Sequence, residues 1–485
     1  MNLIWDCFSA FARKRPEGVA IRCCGESFSY SRVTAESERL AAVFCKSIPE
    51  GSHVAVYLPN NRSFPISFLA LARNGMVMMP LNLKYRASEL NHYLSCLPIS
   101  AILTDRKNLE QLSTIQSIPE IIFVWEDILD DNHVESCAVS EVPVDNPAVV
   151  QFSSGSTGLP KTIHRSHLNL ITEVKQLTEA LKISQADTFL GLLPLYHAHG
   201  FSNAMMAALL NGGQLVLKEG FNPRTAIKLL EEENITCFPA VPFMIKLMSE
   251  THFTGKINWS GLRFCFTAGA ALDEETAVAF RKRFGITVRQ LYGSTETGAI
   301  ALNLNDPIGK TGKSVGAPLG KAEVIVFDEN MNPCGNGQTG EIGINSPTMA
   351  TCYSKMPKET KESFRKGYFF PGDLGYFDSA GNLYITGRKS LFINVGGNKI
   401  NPYEVEKVIA SIPEVKDVVV FGVPLAQGSG ELVKAFVVME GPNNKELILD
   451  YCCNNLAETK IPKVIDFISE IPRSVTGKVL KKYLI

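Results

Sequence analysis

Ser153-Ser154-Gly155-Ser156-Thr157-Gly158-Leu159-Pro160-Lys161 packs hydroxyls, glycines and a cation into nine residues. Small residues let backbone N–H groups come close to phosphate oxygens, hydroxyls add donors, and Lys161 adds positive charge. An apolar strand precedes the string and a helix is expected to follow it. Two better-defined motifs are excluded. A Walker A loop counted from Gly155 needs a second glycine where Pro160 stands, and a GxSxG elbow around Ser156 needs a glycine where Ser154 stands. Alone, such a string is as readily a plain surface loop as a phosphate site. Glu296, Asp373 and Lys478, each taken singly, read as a helix-terminal carboxylate, a turn residue and a solvated ammonium.

Their joint order along the chain is more specific. After the Ser/Gly string come Pro194-Leu195-Tyr196-His197, then Gln290-Leu291-Tyr292-Gly293-Ser294-Thr295-Glu296-Thr297-Gly298, then Gly340-Glu341-Ile342. Gly367-Tyr368 and Gly372-Asp373-Leu374-Gly375 precede Gly387-Arg388, and Gly396-Gly397-Asn398-Lys399-Ile400-Asn401-Pro402 precedes Thr476-Gly477-Lys478. This series resembles, over essentially the whole chain, the adenylate-forming superfamily of acyl- and aryl-CoA synthetases, luciferases and nonribosomal-peptide adenylation domains. In motif style it is most similar to the acyl- and aryl-CoA ligases.

The resemblance implies a two-step reaction. A carboxylate attacks the α-phosphorus of ATP, pyrophosphate leaves, and the acyl group of the adenylate then passes to the thiol of CoA or of a carrier-protein phosphopantetheine. The physical obstacle is repulsion between anions, about 4 kcal/mol for two unit charges about 4 Å apart at an effective dielectric near 20. By resemblance, Ser153, Ser154, Gly155, Ser156, Thr157, Gly158 and Lys161 hold the β- and γ-phosphates. Tyr292 stacks near adenine within the segment that includes Gly293, Thr295 contacts the α-phosphate, and Glu296 binds Mg²⁺ through a hard oxygen. Asp373 accepts from the ribose hydroxyls with Arg388 in support, and Lys478 stabilises charge developing in the transition state. Gly396 and Gly397 leave room for a thiol arm. Ser390 stands where the family often has an Asp or Lys hinge, and His197 stands where related ligases keep a gating histidine.

For the acid, the walls are read as Tyr196, His197, Phe201, Asn203, Met206, Val241, Ala268, Gly269 and Ala270. Between Phe189 and Lys218 there is no Asp or Glu, so an α-ammonium would be buried without a partner, at high cost. An acyl chain or aryl ring is expected. Two rival readings are an adenylating enzyme with a non-CoA acceptor, such as a carrier-protein loader or luciferase-like oxygenase, and a catalytically silent nucleotide- or protein-binding scaffold. The four charged residues Glu296, Asp373, Arg388 and Lys478 argue against the scaffold.

These residues need a large frame. At roughly 150 residues per domain, 485 residues make about three units. Lys plus Arg is 48 against 49 Asp plus Glu, a balance that disfavours nucleic acid and anionic membranes as partners. The 12 cysteines include no CxxC pair, and they read as small buried residues of a reducing compartment. Residues 1–18 read as an amphipathic helix rather than a signal peptide, and no apolar run approaches the roughly 18 residues of a membrane span. A cytoplasmic enzyme is expected.

Strands at 53–59, 76–81 and 101–105 alternate with helices at 62–74 and 89–97, the signature of βαβ units and a parallel sheet. Residues 126–147 read as a surface connection. Strands at 214–217, 237–241 and 263–267 and a helix at 273–284 build a second α/β region, and a β-rich region follows Gly298. Asn401 and Pro402 mark a helix start. The expected fold is therefore α/β. A large N-terminal domain, 1–387, holds two α/β sheet subdomains and a β-rich one; a hinge, 388–390, leads to a small mobile α+β lid, 391–485.

Overall fold

The computed structural model describes residues 3–130, 141–153, 161–253, 258–305, 313–389, 393–395, 398–424, 431–474 and 479–484. Loop residues 154–160, Ser390, Gly396, Gly397 and Lys478 lie outside them. The chain forms two compact units. The first takes residues 1–324, 344–369 and 381–383; the second takes 325–343, 370–380 and 384–485.

The first unit has two α/β sheets. One runs in the order Ile121–Val124, Ile99–Thr104, His53–Tyr57, Val77–Pro80, Pro147–Ser153, Lys161–Ser166. All its pairings are parallel except the last. The other carries a parallel run of Val288–Ser294, Phe264–Thr267, Cys237–Ala240, Thr188–Gly191, Gln214–Leu217 and Val19–Cys23. Glu26–Ser29 and Gly298–Leu302 join it antiparallel. Parallel strands are covered on both faces, so they read as continuous apolar runs. The tetrapeptide CFPA is wholly buried, as is TFLG.

The βαβ alternation appears with ends shifted by no more than two residues, as in the helices Ser63–Arg73 and Ala87–Ser95. Ile4–Lys14 is the amphipathic helix, burying Ile4, Trp5 and Phe8. Two local expectations are corrected. The Ser/Gly string does not lead directly into a helix: Lys161–Ser166 is a strand that turns back on Pro147–Ser153, and the helix His167–Leu181 starts only after Ser166 caps it. The β-branched pair Thr162-Ile163 and the alternation around it favour this pleated, half-buried surface. Within 126–147 the first residues are not a connection, since Trp125–Asp130 is a helix anchored by buried Trp125 and Ile128. Among the described cysteines only Cys45 is disulfide-bonded; of ten free thiols four are buried and three exposed.

In the second unit, Asp373–Phe377 lies between Gly340–Asn345 and Leu383–Arg388. A three-stranded sheet of Val415–Pro424, Glu431–Met439 and Val464–Phe467 follows. The helices Pro402–Ala410 and Lys445–Asn455 share its core through Val405, Ile409, Ile448 and Cys452. Asn401 caps the first helix by accepting the Tyr403 N–H at 3.1 Å, with Pro402 opening it. The chain is α/β with an α+β C-terminal region. Among the described residues no helix is long and apolar enough to cross a membrane.

Candidate active site

Ser153 and Lys161 face each other as cross-strand partners at the tip of the antiparallel hairpin. Both ends of the seven-residue loop are therefore held on one rung. The Ser153 hydroxyl donates to Glu296 Oε1 at 2.9 Å, and the buried Tyr353 hydroxyl donates to the same oxygen at 3.0 Å. Lys161 Nζ lies 4.5 Å from the centroid of the Tyr353 ring. Glu296 is 6% exposed. Burial first, and then the charge of Glu296, raise the Tyr353 pKa, so the phenol remains a donor.

Glu296 sits in the turn between the strands Val288–Ser294 and Gly298–Leu302. The Ser294 N–H donates to Thr297 Oγ1 at 3.1 Å, the Thr297 N–H to the Ser294 carbonyl at 3.3 Å, and Thr348 Oγ1 to the Thr297 carbonyl at 2.7 Å. Thr295 is half-buried in this turn, and Tyr292 and Gly293 lie on the incoming strand. A Cβ on Gly293 would strike the Gly298 carbonyl.

Beneath the turn, fully buried Arg165 donates through Nη1 to Glu173 Oε2 at 2.8 Å and through Nη2 to the Thr348 carbonyl at 2.9 Å. Glu173 Oε1 accepts the Ala299 N–H at 2.9 Å. Gly298 adopts φ +68°, and a Cβ there would lie 2.6 Å from Glu173 Cδ. Breaking such a buried pair typically costs about 3–5 kcal/mol.

The segment 194–197 is pinned by Asn60, which donates to the Leu193 carbonyl at 2.9 Å and accepts the Leu195 N–H at 2.8 Å. The rings of Tyr196 and His197 are 4.4 Å apart. His199 Nε2–H donates to the Ala240 carbonyl at 2.9 Å, while its Nδ1 accepts from Asn203 Nδ2 at 2.9 Å. A carbonyl can only accept, so the neutral Nε2–H tautomer follows. Burial pushes the His199 pKa down to about 4. Asn203 is 4% exposed and lies in the π-helical turn Phe201–Met206, a geometry frequent at functional sites.

Phe201 packs edge-on against Phe68 with centroids 4.6 Å apart, and Met206 joins the same core. Val241, Ala268, Gly269 and Ala270 follow the carboxyl ends of the neighbouring parallel strands Cys237–Ala240 and Phe264–Thr267, the edge at which α/β sheets bind ligands. Gly269 and Ala270 are exposed there; Val241 and Ala268 are buried.

In the second unit, Asp373 begins one strand and Arg388 ends its neighbour. Arg388 Nε donates to Asp373 Oδ1 at 2.6 Å. Lys389 pairs with Glu341 at 3.0 Å, and Asn401 Nδ2 donates to the Thr386 carbonyl at 3.1 Å. Among the described residues no cluster of three or more His, Cys, Asp or Glu side chains forms. A Mg²⁺ bound by one carboxylate and substrate phosphates needs no such cluster, and the buried Glu296 oxygen donor fits it.

The sequence motifs thus meet in space where Ser153, Lys161 and Glu296 converge, and again at Asp373 and Arg388. Tyr353, Arg165, Glu173 and Asn60 escaped the sequence reading. Each acts through a partner more than 50 positions away, or through an ion pair eight positions apart across a strand–helix junction, and neither spacing is a recognised signal.

Comparison with known proteins bears on the whole chain. The AMP-binding enzyme family matches residues 8–354, and the AMP-binding enzyme C-terminal domain matches residues 404–478. The oxalate–CoA ligase of Arabidopsis thaliana is 30% identical across 97% of this chain and 96% of its own length. The crystal structure of ATP-bound MatB from Rhodopseudomonas palustris aligns with a TM-score of 0.90 at 27% identity, covering 100% of this chain and 98% of that one. The o-succinylbenzoate CoA synthetase MenE of Bacillus subtilis, in complex with its acyl-adenylate intermediate, aligns with a TM-score of 0.87 at 26% identity over 100% and 98% of the two chains. Motif order, fold and these matches agree: the chain belongs to the AMP-binding, adenylate-forming enzymes, as an AMP-forming acid–thiol ligase that activates a carboxylic acid with ATP.

Proposed function

We propose that this ligase converts an acid with an uncharged acyl or aryl tail to its CoA thioester, in a cytoplasmic setting, with MgATP as the activating substrate. The observation that carries this reading is the convergence of Ser153 and Tyr353 on Glu296, with Lys161 against the Tyr353 ring, beside the two ends of the loop 154–160. A buried carboxylate and an ammonium stand at the ends of a loop rich in N–H and hydroxyl donors. That set suits a cation-bound polyphosphate.

In this reading Glu296 is the protein ligand of Mg²⁺, which when bound neutralises phosphate charge. Lys161 and loop residues 153–158 hold the β- and γ-phosphates, and Thr295 meets the α-phosphate. Tyr292 with Gly293 borders the adenine, and Asp373 with Arg388 holds the ribose. Lys478, on a C-terminal lid (391–485) that turns about 388–390, offsets charge on the carboxylate and α-phosphate as they meet. Gly396 and Gly397 border the pantetheine arm.

The acid's tail is taken between Tyr196, His197, Phe201, Asn203, Met206, Val241 and 268–270. None of these is an acid, a lysine or an arginine, and His199 beside Asn203 is neutral. His197 is then the one residue of this lining able to pair with a second carboxylate on the tail, against several apolar side chains. Monocarboxylates should outperform dicarboxylates such as the oxalate named for one relative.

The test is ATP–pyrophosphate exchange across a panel of mono-, di- and amino acids, followed by mass detection of thioester with CoA and with a phosphopantetheinylated carrier protein. Exchange and CoA thioester with an uncharged-tail acid are expected. Exchange confined to dicarboxylates or amino acids, or thioester only on the carrier protein, would overturn this assignment.

A further inference from the structure

Tyr353 lies 11 residues beyond the Gly340-Glu341-Ile342 motif and in none of the motifs quoted above, yet it touches both charges at the foot of the phosphate loop. Its hydroxyl and that of Ser153 donate to one and the same oxygen, Glu296 Oε1, at 3.0 and 2.9 Å. A carboxylate oxygen whose lone pairs are both taken is spent as a ligand. Oε2 accepts no hydrogen bond from the described residues, and the carboxylate plane is fixed by the two hydroxyls. On its other side the Tyr353 ring presents its face to Lys161 Nζ at 4.5 Å, an attraction of cation for ring quadrupole.

The tyrosine itself is firmly held. It forms an antiparallel bridge to Ile163, its N–H donates to Thr360 Oγ1 at 3.0 Å, and the Ser354 N–H donates to the Thr162 carbonyl at 2.9 Å. Its ring stands edge-on to Phe364, with centroids 5.4 Å apart. The side chain is thus anchored to the strand that Lys161 begins.

We propose that Tyr353 is a positioning residue for the metal–nucleotide complex: with Ser153 it turns Glu296 so that Oε2 alone ligates the divalent cation, and with its ring it sets Lys161 beside the phosphates. This rests on the reading of Glu296 as the cation's ligand. Side chains that orient a metal ligand typically matter by about 10- to 100-fold in metal affinity.

The test uses the full chain and the affinity of Mn²⁺·ATP, read by calorimetry and by the Mn²⁺ electron-paramagnetic-resonance signal, without acid or turnover. Tyr353→Phe keeps the ring over Lys161 and removes only the hydroxyl. It should weaken Mn²⁺·ATP by about tenfold while leaving metal-free ATP binding within about twofold. Ser153→Ala should act in the same direction, and Tyr353→Leu should also weaken metal-free ATP. Glu296→Gln should lose the metal-dependent gain altogether. A lower melting temperature in Tyr353→Phe with Mn²⁺·ATP affinity unchanged, while Glu296→Gln loses it, would overturn the inference and leave the reading of Glu296 intact. Unchanged affinity in all the variants would overturn both.

Discussion

Two carboxylates, one in each compact unit, are buried to the same extent and held in opposite ways. Glu296 and Asp373 are each 6% exposed. Glu296 is gripped by two neutral hydroxyls, whereas Asp373 receives a guanidinium at 2.6 Å. A carboxylate held by neutral donors keeps its charge available for a cation. One already paired with Arg388 has its charge largely offset, and is less drawn to a further cation than to neutral donors. Under the proposed function, the same side-chain chemistry serves a metal in one unit and a sugar in the other. The contrast extends to other buried titratable groups. In the first unit burial holds His164, His167 and His199 down at about 4. In the second it lifts Glu406 to about 7.

The largest effect is expected from Arg165→Met, which leaves Glu173 buried and unpaired beneath the Glu296 turn. Stability should fall by about 3–5 kcal/mol, read as a lower urea midpoint at unchanged slope. Next is Lys478→Ala. Adenylate formation, assayed alone, should drop about a hundred- to a thousandfold, as when a donor to developing charge is lost. Thioester formation from preformed acyl-adenylate should be largely spared, and equal losses in both half-reactions would contradict its assignment.

Asp373→Ala should raise the KM for ATP by about tenfold, the worth of one charged hydrogen bond, without altering the Mg²⁺ dependence. If it shifts the Mg²⁺ dependence as Glu296→Gln does, the division of labour between the two carboxylates fails.

The smallest effect concerns pH. A histidine whose pKa is depressed on folding contributes stability that is present above its unfolded pKa, near 6.5, and is lost as pH falls toward about 4. Glu406, raised on folding, contributes stability that is present at low pH and is lost as pH rises from about 4.5 through about 7. Hydrogen exchange followed from pH 7.5 to 5.5 should show protection falling in the first unit around residues 163–170 and rising in the second around 405–420. Glu406→Gln should abolish the second trend alone.

Much of this could be read from the chain because it depends on local chemistry. Asn401-Pro402 announced a helix start, CFPA and QLVL announced buried parallel strands, and the ordered motifs announced the family. What stayed hidden depends on distance in space. The strand Lys161–Ser166 was missed because its partner, Pro147–Ser153, supplies the pairing that overrides the expected helix start. Tyr353 is an ordinary apolar-side residue until the fold carries it to Glu296, 57 positions away. Arg165 and Glu173 look like surface charges in a polar stretch, and only the fold reveals that both are wholly enclosed.

Gly298 carries a consequence for how this lineage can change. A single added methyl would enter the space of the Glu173 carboxyl and come within 2.8 Å of the Arg165 guanidinium, in a backbone conformation that L-residues rarely adopt. The position is closed to stepwise drift: a side chain at 298 is strained by the backbone whatever the space, 173 closes that space as well, and shrinking 173 strands Arg165. Positions 165, 173 and 298 should therefore vary together or not at all among this protein's descendants, so that a library randomising any one of them alone should return almost only the parental residue.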